Sequence, residues 1–127
     1  MKSHLFVRSS LVAVGLMLAI GGISSSAFAH THLLSSVPAS GAVVPAAGPL
    51  KITFSEGVEV SLSKFELIGA DGKPVADIAA SLDPNSNKIV VIETKAPLPA
   101  GTYTVHWHAV AVDTHRTVGT YSFTVKP

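Results

Sequence analysis

Between Thr102 and Ala111 the side chains alternate: Tyr103, Val105, Trp107 and Ala109 fall on one parity, and Thr104, His106, His108 and Val110 on the other. A β-strand sends successive side chains to opposite faces, so this run predicts a half-buried strand with the first set inside and Trp107 as the main core anchor. His106 and His108 then share the outer face, where the expected role is that of solvated polar residues rather than metal ligands. Tyr121, Phe123 and Val125 show the same alternation in the last strand. Short β-rich runs recur along the rest of the chain, at His32–Val37, Leu50–Ser55, Lys64–Ile68, Ala79–Leu82 and Lys88–Glu93, with final runs at Thr102–Ala111 and Thr120–Lys126. Turn residues separate them, at Asp71-Gly72-Lys73-Pro74, Asp83-Pro84-Asn85-Ser86-Asn87 and Pro97-Leu98-Pro99-Ala100-Gly101. With neither helical periodicity nor an internal repeat, the pattern predicts an all-β fold: one antiparallel Ig-like Greek-key sandwich or barrel of about seven strands. The stretch from Ala39 to Pro49 reads as a surface loop.

The first residues do not belong to that domain. Lys2 and Arg8 supply a basic start, Leu11 to Ile23 is apolar and uncharged, and Ala27-Phe28-Ala29 ends the stretch with small residues flanking the cleavage position. Residues 1–29 therefore read as a secretory signal peptide and residues 30–127 as one β domain. The alternative is a retained anchor, since Ser9 to Ala29 carries no charge and is about long enough to span a bilayer. The Gly/Ser-rich end favours cleavage, which places the product in the periplasm.

Without Lys2 and Arg8, the 9 Lys and Arg fall to 7 against 8 Asp and Glu, which argues against binding nucleic acid through its phosphates. The chain has no Cys, so disulfides, thiolate zinc sites, iron–sulfur clusters, cysteine nucleophiles and the His₂Cys blue-copper centre are all excluded. Both Met, Met1 and Met17, lie in the leader, so the processed chain offers no thioether ligand. Five of the six His remain.

Cleavage after Ala29 would make His30 the first residue and give it a free α-amine. That amine and Nδ1 of the same ring can close a chelate on a metal, which an internal His cannot do because its backbone nitrogen is an amide. Further along, Asp113 and His115 stand two residues apart; in extended chain such residues share a face about 6–7 Å apart, close enough to reach one ion. Two nitrogens from His30 with Asp113 and His115 make a four-donor set of nitrogen and oxygen, which suits Cu(II) best and leaves Zn(II) and Ni(II) open on ligand type. Taken alone, an Asp in a turn followed by a solvated His is also an ordinary surface feature.

Three separated segments resemble one family, the CopC/PcoC-type periplasmic copper-binding proteins with their shorter YobA-like members. They are His30-Thr31-His32-Leu33 with Ser36-Val37-Pro38-Ala39, then Phe54-Ser55-Glu56-Gly57-Val58-Glu59, and then Gly101 to His108 continuing through Asp113-Thr114-His115 to Gly119-Thr120-Tyr121-Ser122-Phe123-Thr124-Val125. The resemblance implies a Greek-key β-sandwich or barrel with one Cu(II) at one end, held by His30, Asp113 and His115. His32 is an auxiliary ligand candidate. Glu56 is a candidate for an outer carboxylate that orients the imidazole or the amine, although a plain acidic role at a strand end suits Glu56 and Glu59 equally. Arg116 could pair with Asp113, but a solvated role is expected. The Met-rich Cu(I) loop of some members has no counterpart in these residues.

The expected function is periplasmic Cu(II) binding in copper homeostasis or resistance, by a monomer that sequesters the ion or hands it to a membrane partner. A CopD-like inner-membrane protein is the partner implied by the resemblance. Two other readings compete. One is a copper-dependent oxidative enzyme with a histidine brace, disfavoured because Asp113 would take space that oxygen needs and because the aromatic residues mostly fall on the core parity. The other is a metal-free Ig-like interaction module with all its His on the surface. The expectation is a binding protein and not an enzyme.

Overall fold

A computed structural model describes residues 33–127; the proposed leader, His30 and His32 lie outside the described residues. Eight strands follow in order: β1 Leu33–Val37, β2 Val43–Val44, β3 Leu50–Phe54, β4 Lys64–Ile68, β5 Ile78–Asp83, β6 Ser86–Thr94, β7 Gly101–Val110 and β8 Arg116–Val125. They form two four-stranded sheets, ordered β1-β3-β6-β5 and β2-β8-β7-β4. Of the two expected forms, sandwich and barrel, the molecule takes the sandwich.

The alternation read from sequence is the alternation that packs. Leu50, Ile52 and Phe54 of β3 and Val90 and Ile92 of β6 are fully buried in the first sheet. Leu67 of β4, Tyr103, Val105, Trp107 and Ala109 of β7, and Tyr121, Phe123 and Val125 of β8 face them from the second. Each large aliphatic side chain taken out of water contributes about 1.5–3 kcal/mol, and without disulfides this burial is what holds the sheets together. Phe54 meets Trp107 edge-on across the sandwich, with ring centroids 5.9 Å apart and planes at 78°. Opposite Trp107 in the β7–β8 ladder stands Gly119, where a Cβ would run into the indole ring.

Two expectations need correction. The Ala39–Pro49 stretch is not only loop: it contains β2, which pairs with β8 in parallel, so the fold is not wholly antiparallel. The backbone of this segment captures the open edge of β8, with Gly41 N–H donating to Ser122 C=O at 2.7 Å and Lys126 N–H to Val44 C=O at 2.8 Å. Two residues are too few to show a periodicity. In addition, the last strand starts at Arg116, four residues before Thr120. Its first part inverts the usual polarity, with Thr117 buried and Val118 64% exposed, which hides it from a reading based on apolar alternation.

Candidate metal centre

At one end of the sandwich the turn between β7 and β8 meets the chain leaving β3. Val58 pairs with Ala111 in an antiparallel bridge. Glu59 N–H donates to Val110 C=O at 2.8 Å and Val112 N–H to Gly57 C=O at 2.9 Å, while Val58 N–H donates to Asn87 C=O at 2.9 Å on the other side. The segment Glu56–Glu59 is thus clamped between the start of β6 and the end of β7, and Glu56 lies beside the turn.

The turn is built on Asp113. Thr114 N–H donates to Ala111 C=O at 2.9 Å and Ala111 N–H to His115 C=O at 2.8 Å. Asp113 Oδ1 accepts the His115 N–H at 3.2 Å, the local bond that makes Asp a turn former. Thr114, between them, has φ 75°, in the left-handed region. The extended geometry expected from sequence is therefore replaced by a turn, and the reason lies in the carboxylate's grip on the backbone two residues on. The consequence is closer approach: His115 Nδ1 lies 2.7 Å from Asp113 Oδ2. That contact engages Nδ1 and leaves Nε2 as the ring nitrogen that could reach a metal.

Glu56 completes the group. One donor atom each from Glu56, Asp113 and His115 lie within 4.8 Å of one another. Glu56 Oε2 is buried and has no hydrogen-bond partner among the described residues, although Glu56 as a whole is half-exposed. A buried carboxylate oxygen left without a donor is costly, so its position calls for a cation or a donor that the described residues do not supply. The Asp113 and His115 side chains are 43% and 74% exposed, open to an incoming ion. The hydrogen bond from His115 holds the Asp113 carboxyl below the usual carboxylate range, helped by the His115 backbone N–H. That same bond, with the negative charges of Asp113 and Glu56, raises the His115 imidazole above its ordinary value.

The other candidates lie elsewhere. His106, half-buried, and His108, exposed, are on the outer face of β7 as the alternation required. Arg116 is exposed, and the ion-pair partner of Asp113 is His115. Glu59 is exposed and outside the cluster. The approach of Glu56 to the turn depends on pairing between segments far apart in the chain, for which the sequence carries no local signal.

Fold and site together define a two-sheet β-sandwich carrying a nitrogen-and-oxygen donor cluster at one end. The CopC domain model matches residues 33–126, and the chain belongs to the CopC family. Copper resistance protein C of Escherichia coli is 40% identical over 129 residues, covering 94% of this chain and 98% of that protein. Protein YobA of Escherichia coli K12 is 40% identical over 106 residues, covering 82% and 85%. The crystal structure of PcoC, described as a methionine-rich copper resistance protein from Escherichia coli, superposes with a TM-score of 0.68 at 41% identity, over 77% of this chain and all of PcoC (100%). The present chain has 2 Met, both before the described residues.

Proposed function

We propose that this protein binds one Cu(II) at the Glu56, Asp113 and His115 end of the sandwich and serves copper homeostasis or resistance in the periplasm. The observation that carries the reading is the convergence of these three donors around a buried Glu56 oxygen that lacks a partner among the described residues. A nitrogen-and-oxygen set with no sulfur suits Cu(II), and the names of the relatives point to the same metal. His115 Nε2 and Asp113 supply donors from the turn. Glu56 acts from the outer shell, where a carboxylate orients a ligating imidazole or amine.

His30 supplies the remaining donors in this reading, through its ring and the α-amine exposed by removal of residues 1–29, with His32 as auxiliary. Leu33 pairs with Phe54, two residues from Glu56, so the chain enters the described fold at the site end. Three residues of chain span at most roughly 10 Å, a length that supports a His30 contribution at this end. Among the described residues no helix is long and apolar enough to cross a membrane; the partner that would take up the ion is a CopD-like inner-membrane protein, as the family resemblance implies. The protein acts as a monomer that holds the ion and does not turn it over.

Mass spectrometry of the exported product and EPR of its one-equivalent Cu(II) complex test the proposal. A chain beginning at His30, with nitrogen-rich tetragonal copper, is expected. One residue added before His30 converts the amine to an amide and should weaken binding severely. Unchanged affinity in that variant overturns the chelate.

A further inference from the structure

The geometry points to a second metal site on the outer face of the β2-β8-β7-β4 sheet, in which His106 and His108 of β7 bind a borderline divalent ion, Cu(II) foremost, with Glu66 of β4 as third donor. It shares no residue with the end site and stands or falls separately from it. His106 and His108 are two apart on one strand, so both rings leave the same face about 6.5–7 Å apart, a span that one ion bridges with bonds of about 2 Å. Sequence alone favoured solvated roles for this pair and left a second, weaker site open. The sheet register adds what the sequence lacked: Glu66 stands directly opposite His106, and Lys64 opposite His108. Directly opposed residues have Cβ atoms about 4.5–5.5 Å apart, which sets Glu66 beside the pair.

The carboxyl of Glu66 is held below the ordinary range first by Lys64, with His106 and His108 adding in the same direction, so both rings lie within its electrostatic reach. Two imidazoles and a carboxylate favour Cu(II) over the other first-row divalent ions. Two features make the site weaker than the end site. Its donors are not already gathered: the group Glu56, Asp113 and His115 is the one found with donor atoms within 4.8 Å among the described residues. Moreover, Glu66 pairs with Lys64 at 2.9 Å and must exchange that ammonium for the ion. Lys64 therefore acts as a competitor for the third donor. His108 pairs with Val118, three residues beyond His115, which sets the two sites on the order of 10 Å apart.

Titration of the purified chain with Cu(II) against a competing chelator should show two equivalents, the second at least about tenfold weaker, with mutual dipolar broadening of the EPR lines at full loading. His106→Ala with His108→Ala should remove the second equivalent and leave the EPR spectrum of the first unchanged, with circular dichroism confirming the fold. Asp113→Ala with His115→Ala should do the reverse, which separates failure of this site from failure of the end site. Lys64→Gln, which alters no donor, should tighten the second equivalent, and Glu66→Gln should weaken it. Saturation of the wild-type chain at one equivalent, or a second equivalent that survives loss of both His, overturns the proposal. A second affinity unmoved by Lys64→Gln and Glu66→Gln overturns the part assigned to Glu66.

Discussion

The turn Gly69-Ala70-Asp71-Gly72-Lys73 after β4 and the turn Ala111-Val112-Asp113-Thr114-His115 between β7 and β8 have one hydrogen-bonding pattern. In each, the first N–H donates to the fifth C=O, at 2.9 and 2.8 Å, and the fourth N–H to the first C=O, at 2.9 Å in both. In each, the central Asp accepts the N–H two residues on, at 3.0 and 3.2 Å. The fourth residue takes a positive φ in both, 77° at Gly72 and 75° at Thr114. Such three-residue hairpin loops ordinarily place Gly at that position. The first turn obeys the rule and ends in Lys73; the second breaks it with a β-branched Thr and ends in His115. A β-branched residue at positive φ is a genuine outlier, and strain of this kind persists where the surroundings over-determine it. Here the surroundings are the Val58–Ala111 bridge and the Val112 to Gly57 hydrogen bond, the same contacts that bring Glu56 to the turn. A shared backbone does not make a shared function; the departure from turn chemistry marks the turn that carries Asp113 and His115.

The widest separation of the two turns should come from their last residues. His115→Ala is expected to weaken Cu(II) binding by more than about a hundredfold, beyond the range for loss of an outer-shell group, while Lys73→Ala leaves it unchanged; isothermal titration against a chelator measures both. Equal effects would erase the distinction. Next in size is the response to acid. In the proposed site copper would have to displace the proton from His115, whose imidazole is raised by Asp113, so affinity should fall about tenfold per pH unit below the His115 pKa, with an onset above the ordinary value of about 6.5. In the metal-free protein the sign is opposite. The Asp113–His115 pairing stabilises the fold at pH below the unfolded imidazole value, and this contribution is lost as pH rises through the raised folded value. Asp113→Asn should return the His115 titration, followed by NMR, toward the ordinary range.

Glu56→Gln keeps the shape and removes the charge, and a loss of about tenfold in affinity is expected from removal of an outer carboxylate. Full affinity in that variant would show that Glu56 is only a neighbour of the turn. The smallest effect tests the strain itself. Thr114→Gly should stabilise the metal-free fold by about 1 kcal/mol, and Gly72→Thr should destabilise it by about 1–2 kcal/mol, both read by chemical denaturation. If Thr114→Gly is neutral or destabilising, the left-handed residue is not strained and the contrast between the turns loses its energetic content.

What the chain alone determined is local. The parity of Tyr103, Val105, Trp107 and Ala109, and of Tyr121, Phe123 and Val125, was legible because a strand has a period of two, and burial follows it residue by residue. Asp113 and His115 were legible as a pair but were read as extended chain, and the resemblance of three segments to one family pointed to this end of the molecule. Tertiary structure alone decided the rest. It added a two-residue parallel strand to the edge of β8, began β8 at Arg116 behind an inverted polarity, and drew Asp113 and His115 into direct contact. It also brought Glu56 to Asp113 and Glu66 to His106. Each of these depends on register between segments distant along the chain. Side-chain periodicity says which face a residue takes but not which residue it will face, and that second fact is set when the sheets pair and close on their common core.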